Sequence, residues 1–146
     1  ILRIIIMNNP MISALQTSGL RLTATRLAIC NLLAETKEHP TAARIFADLK
    51  DQYPSLSLAT VYNTLEMLVS LGMVHILGPA GDENTHYEPN TEPHVNLACI
   101  QCHTITDFSC EDAARLEEQV VSHSGYRLVG GRLLYYGVCP SCQAGG

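Results

Sequence analysis

Seven side chains between residues 88 and 142 have types and spacings that suit metal chemistry. Cys99 and Cys102 form one Cys-x-x-Cys knuckle, and Cys139 and Cys142 form a second one 36 residues further on. Each knuckle turns tightly enough to aim both sulfurs at one ion, so together they can close a tetrahedron of thiolates around Zn2+. Paired knuckles at this spacing favour zinc over a disulfide pair or unrelated free thiols. Such a site would act as a structural staple, because metal binding in a small lobe is folding free energy. Glu88, His94 and Asp107 bracket the first knuckle with harder donors. With His39 they make a nitrogen–oxygen set that suits iron, manganese or zinc rather than copper(I). His94 and Asn96 are two apart on an expected strand, so their side chains face the same way. Any one of these residues taken alone reads more simply as a surface or satisfied core group.

The elements that must position these donors follow from periodicity and capping. Helices are expected over 10–18, from Ala24 to about Glu35 after the N-cap Thr23, over 42–52 after Thr41, and over 58–71 after Ser57. Leu27, Leu32 and the pair Ala28/Ile29 should form the buried stripe of the second helix. Leu58, Val61, Leu65, Leu68 and Leu71 should form that of the fourth. Gly72 sits where a left-handed C-cap would. Strands at 73–77 and 85–87 flank a Gly-Pro turn, which completes a winged helix-turn-helix pattern. After a Pro-bounded linker, 94–98 and 104–108 read as strands around the first knuckle. Ser109 and Asp112 match a capping box opening a helix to about His123, with Ala113, Leu116 and Val120 on one face. The segments 126–129 and 133–138 read as a hairpin across Gly130-Gly131. The fold class is therefore α+β: a winged helix-turn-helix domain over 7–88, a hinge over 89–93, and a small α/β dimerisation and metal-binding domain over 94–146. A lobe that small needs a metal or a second copy to be stable.

Composition bounds the function. Hydrophobic residues make up 47% of the 146 and charged residues 16%, enough for a buried core and against disorder. A net charge of -5 argues against bulk, nonspecific nucleic-acid binding, although six of the nine Lys and Arg precede residue 80. Residues 1–6 are apolar but far too few to span a bilayer, and Met7 is a candidate start. Free thiols in knuckle spacing point to a reducing cytoplasm and no membrane.

Several stretches together resemble the ferric uptake regulator family. They are 19–26 (GLRLTATR), 39–42 (HPTA), 58–65 (LATVYNTL), His94 with Cys99-x-x-Cys102 and Asp107-Phe108, and 136–142 (YGVCPSC), and they span nearly all of 19–142. The resemblance implies a metal-dependent, homodimeric repressor of transcription that reads an inverted-repeat operator in double-stranded DNA. It assigns Cys99, Cys102, Cys139 and Cys142 to structural zinc, and His39, Glu88, His94 and Asp107 to a regulatory ion, Fe2+ or Mn2+ with Zn2+ as the alternative. Position 96 departs from the family pattern: Asn96 stands where a second His is usual, and is a weaker, harder donor. A further family site is not expected, because its positions hold Pro93, Val95 and Gly131. Glu88 in place of a Cys counts against zinc sensing. Glu88 with Asp107 mixes the carboxylate patterns of the iron-sensing and peroxide-sensing branches, so the resemblance implies a peroxide-sensing or an iron-responsive repressor. The short tail after Cys142 is similar to the peroxide-sensing branch, where ferrous iron reacts with peroxide and a His ligand, here His39 or His94, is oxidised.

DNA contact is expected from the start of the fourth helix. Ser57, Thr60 and Asn63 can reach phosphates or base edges, and Tyr62 a thymine methyl. Arg21 can enter a narrow minor groove. Two rival classes remain, a metalloenzyme and a zinc-ribbon module that binds only protein. The sequence has no HExxH, nucleophile elbow or phosphate-binding glycine loop to support the first.

Overall fold

The computed structural model describes residues 9–145; the expectations about residues 1–6 and Met7 lie outside them. Four helices come first: α1 (Pro10–Thr17), α2 (Ala24–Glu35), α3 (Ala42–Leu49) and α4 (Leu58–Ser70). A two-stranded antiparallel sheet follows, β1 (His75–Gly78) with β2 (His86–Glu88). The second lobe holds β3 (Val95–Cys99), β4 (Ile105–Phe108), α5 (Glu111–Ser124), β5 (Leu133–Gly137) and α6 (Pro140–Gly145).

The helices start where their side chains can satisfy free backbone N–H groups. Thr23, Thr41 and Ser57 accept from the N–H groups of Arg26, Arg44 and Thr60. Asn9 caps α1 through Oδ1, and its Nδ2 donates to the Cys30 carbonyl, which stitches α1 to α2. Gly72 ends α4 with φ 72°, a left-handed position that favours glycine. One core unites Ile12, Leu15, Ile29, Leu33, Ile45, Val61, Leu65 and Leu68, all essentially buried. Truncating one of these to Ala would cost about 2–5 kcal/mol. The stripe on α2 is rotated from the expected one. Cys30 and Leu33 join Ala28 and Ile29 inside, while Leu27 and Leu32 pack at the rim. Leu58, at the start of α4, is exposed, and Leu71, its C-cap, packs only at the rim of the core. Thr64 takes an inner position instead, its hydroxyl donating to the Thr60 carbonyl.

The second lobe departs further from the sequence reading. Its sheet order is β4-β3-β5, with β3 antiparallel to β4 and parallel to β5. The expected hairpin is absent: 126–132 is irregular, and β5 pairs with β3 after a crossover through α5. Tyr126 and Val129 are 72% and 84% exposed, so the apolar run at 126–129 has no neighbouring strand to pair with. Cys110, not Ser109, is the N-cap of α5, and it makes no side-chain cap bond. Glu111 and Asp112 in the first turn instead complement the helix dipole. Of the expected inner face only Ala113 is buried; Leu116 and Val120 are exposed.

The lobes meet where the β1–β2 loop lies on the second sheet. Leu77 and Ala80 pack against Ala98 and Ile105. Tyr136 donates its hydroxyl to the Pro79 carbonyl at 3.0 Å, His103 Nδ1 donates to the Ala80 carbonyl at 2.9 Å, and Arg132 donates to the Ile76 carbonyl. No helix among the described residues is long and apolar enough to cross a membrane.

Candidate metal centres

β3 and the strand-like return of β5 bring the two knuckles together. The register places Cys99 opposite Gly137, so the chain leaving β5 reaches Cys139 beside Cys99. One sulfur from each of Cys99, Cys102, Cys139 and Cys142 lies within 4.8 Å of the others. Cys102 Sγ and Cys139 Sγ are 3.8 Å apart. That is far beyond a disulfide bond, and it is about the edge of a regular tetrahedron built on zinc–sulfur bonds of ~2.3 Å. Backbone N–H groups of Cys102 and Cys139 hold the Cys99 thiol down to about 6. Hydrogen bonding to Cys139, with burial, pushes Cys142 up to about 12. The first thiolate therefore forms readily and the last does not, unless a cation neutralises the set.

The second cluster is assembled from both lobes. His39 lies between α2 and α3, Glu88 ends β2, His94 precedes β3, Asn96 is on β3 and Asp107 on β4. His39 Nε2 is 2.5 Å from Glu88 Oε2 and 2.7 Å from Asp107 Oδ1. His94 Nε2 is 3.1 Å from Glu88 Oε2 and 3.5 Å from Asp107 Oδ1. One donor atom from each of the four residues lies within 4.8 Å of the rest. Asn96, 1% exposed, aims its terminal carboxamide into the same point, 3.2 Å from His94 Nε2.

Hydrogen bonds behind these groups orient them. His94 Nδ1 is 2.6 Å from the Glu92 carbonyl, which only accepts, so Nδ1 carries the proton and Nε2 keeps its lone pair for an ion. Glu88 Oε1 accepts from the Asn90 N–H at 2.7 Å. Burial would lower the pKa of His39, but Glu88 and Asp107 outweigh it and hold the imidazole above its ordinary value. The same balance, with the Glu92 carbonyl and Glu88, raises His94. For Glu88, burial works upward, and the histidines and the Asn90 N–H bring it below the usual carboxylate range. Two carboxylates and two imidazoles converge with one neutral amide oxygen among them, a donor set that fits a divalent cation of intermediate hardness.

Sequence reasoning missed the support of His39. His86, buried, donates from Nδ1 to the His39 carbonyl at 2.7 Å, and its Nε2 lies 2.9 Å from Asp82 Oδ2. The Tyr87 N–H donates to the Pro40 carbonyl, so β2 holds both residues of the His39-Pro40 turn. Only the closeness of Asp82, His86 and Glu88 in one short hairpin could have signalled it.

The residues expected at DNA lie on or ahead of α4. Tyr62 is 44% exposed, and Asn63 and Arg21 are exposed. Ser57 is exposed, but its hydroxyl is engaged in capping, 2.9 Å from Thr60 Oγ1. Arg26, just inside α2, donates to the Arg21 carbonyl.

A winged-helix lobe joined through a nitrogen–oxygen cluster to a lobe carrying four gathered thiols defines a class, the metal-responsive transcriptional repressors that bind DNA, not enzymes. The chain belongs to the Ferric uptake regulator family, whose model matches residues 17–136. It is 33% identical over 132 residues to the peroxide-responsive repressor PerR of Staphylococcus saprophyticus, covering 90% of this chain and 88% of that one. The structure of PerR from Streptococcus pyogenes is 36% identical, with a TM-score of 0.52 and coverage of 92% and 91%. The Helicobacter pylori ferric uptake regulator shares the fold at 20% identity, with a TM-score of 0.74 and coverage of 98% and 94%.

Proposed function

We propose that this repressor senses peroxide through iron held by His39, Glu88, His94 and Asp107, with Asn96 as a further donor. Zinc held by Cys99, Cys102, Cys139 and Cys142 fixes the second lobe. The observation that carries the reading is the joint ownership of the nitrogen–oxygen cluster: His39 belongs to the helical lobe, and His94 and Asp107 belong to the sheet lobe. An ion bound by both lobes favours one angle between them, and its differential affinity shifts the population toward the form that grips DNA. The similarity to two peroxide-responsive repressors supports peroxide over iron as the signal. Iron supplies the reactivity toward peroxide. The chain's own contribution is the placement of two imidazoles and two carboxylates around it. Mn2+ in the same site would hold the repressor in its DNA-binding form without that reactivity.

In this reading 7–88 reads DNA, 89–93 is the hinge, and 94–146 dimerises. Phe108, Leu116, Val120, Tyr126 and Tyr135 are exposed on the second lobe, apolar side chains that a second copy could cover, which supports a homodimer. A two-fold dimer matches an inverted-repeat operator, with Ser57, Thr60, Tyr62 and Asn63 at the major groove and Arg21 at the minor groove. A cytoplasmic location suits this reading, because it keeps thiols reduced and gives access to the chromosome.

Anaerobic loading with iron, manganese or zinc, followed by operator retardation before and after peroxide, tests the proposal. Loss of binding in the iron form alone, with one oxygen atom added to the His39 or His94 peptide, is the expected result. Unchanged peptides and unchanged retardation would refute peroxide sensing.

A further inference from the structure

Asn96 sits in the central strand β3, paired to Asp107 on one side and Leu134 on the other, so its backbone is fixed. The one soft torsion left is rotation of the terminal carboxamide. As oriented, Oδ1 faces only acceptors and Nδ2 faces only donors. The amide oxygen and nitrogen have nearly the same shape, so the pocket admits either rotation, and the oxygen-inward one is satisfied only with a cation among the acceptors. Turned by half a revolution, the amino group comes 3.0 Å from Asp107 Oδ1, 3.1 Å from Glu88 Oε2, 3.2 Å from His94 Nε2 and 3.3 Å from His39 Nε2. Its two hydrogens can then serve the Asp107 and Glu88 carboxylates at once, and Oδ1 turns to the donors behind.

Resting on the regulatory-ion reading above, we infer that the Asn96 carboxamide is a two-position element that sets which ion the site accepts. In the metal-free protein the amino group turns inward and ties the carboxylates and imidazoles together. In the loaded protein the oxygen turns inward as a fifth, hard donor. An imidazole at this position would add nitrogen, the donor that zinc favours in four-coordinate sites. An amide oxygen instead rewards ions that accept more ligands and more oxygen, such as Mn2+ and Fe2+. Every ion must also displace the inward hydrogen bonds, so Asn96 raises the concentration at which the site fills. The carboxamide thus discriminates against zinc, the ion that the cell already supplies to the thiolate cluster.

The test uses the full-length 15N-labelled protein with its thiolate zinc retained and the second site stripped by a mild chelator. Zn2+, which is diamagnetic, is the probe for NMR. In the stripped form the Asn96 amide protons should be displaced downfield and exchange slowly with water. Saturation with Zn2+ should move both away from that position. In parallel, Mn2+ and Zn2+ compete for the wild type and for Asn96→His. The variant should shift the affinity ratio toward zinc by about tenfold or more. The NMR readout needs no substitution, so it decides the matter even if Asn96→His does not fold. An amide pair unmoved at saturation, or a ratio unchanged in a folded variant, overturns the inference while leaving the regulatory site in place. A wild type that takes up no ion beyond the thiolate zinc overturns both.

Discussion

All four thiols come from one lobe and two short knuckles, whereas His39, Glu88, His94 and Asp107 come from four segments spread over both lobes. The thiolate cluster can close without reference to the helices, and tightening it changes nothing between the lobes. The nitrogen–oxygen cluster exists only when the lobes meet, so whatever fills it reports on their angle. The surroundings differ in the same sense. The helical lobe has a continuous core, while the sheet lobe buries little beyond Ala98, Cys99, Ile105 and Ala113. An ion in the first cluster would substitute for a missing core, and one in the second would couple two bodies that are already folded.

The largest effect that separates the two clusters is loss of a thiol. Structural zinc is worth about 10–16 kcal/mol in small domains, more than most domains have in total. Cys102→Ser is expected to unfold the sheet lobe and abolish dimers, seen as lost strand signal in circular dichroism and a monomer in sedimentation. If the lobe stays folded, the claim that zinc replaces its core is wrong. His39→Ala should do the reverse. The fold and thiolate zinc should survive, while affinity for the regulatory ion falls by roughly 100-fold or more and metal-dependent operator retardation disappears. Calorimetric titration with Mn2+ checks this.

Acidity sharpens the contrast next. His39 and His94 are held above their ordinary values in the metal-free protein. Their contribution to stability is thus full below the unfolded histidine value of about 6.5 and fades as pH rises through the raised folded value. Ion binding needs those imidazoles deprotonated, so affinity should run the other way. It should fall with decreasing pH by about tenfold per unit for each proton displaced. Glu88, held low, loses its own contribution only in stronger acid, as pH falls through its folded value. Opposite pH slopes for the melting of stripped and Mn2+-loaded protein are the expected observation, and parallel slopes would remove the coupling.

The smallest expected effect is at the support of His39. His86→Leu leaves the His39 carbonyl and Asp82 without their partner, at a cost of about 1–3 kcal/mol. It should weaken ion binding by about tenfold and leave thiolate zinc untouched. Thermal melting and Mn2+ titration together read both.

The thiolate cluster was legible because spacing alone encodes it: two residues between sulfurs is a local fact. The caps at Thr23, Thr41 and Ser57 were legible for the same reason, since each satisfies an N–H three residues away. His39 and Asp107 are 68 residues apart, and no periodicity relates them; only the family resemblance brought them together on paper. The parallel pairing of β5 escaped because a Gly-Gly between two apolar runs has the local appearance of a hairpin. The partner that won, β3, is more than thirty residues upstream. The role of Asn96 was half visible. Its residue type announced a harder donor, but its burial in a central strand, and hence its single free torsion, needed the fold.

Strand β3 carries Asn96 at one register position and Cys99 three residues on, about 10 Å along the same backbone. Damage to the sulfurs therefore cannot stay local. A disulfide-forming stress that ejects zinc would loosen the rail on which the amide is mounted, and would switch the promoter on without touching a histidine. Two kinds of insult would converge on one output yet leave different scars: one erased by a reductant, the other persisting until the polypeptide is replaced.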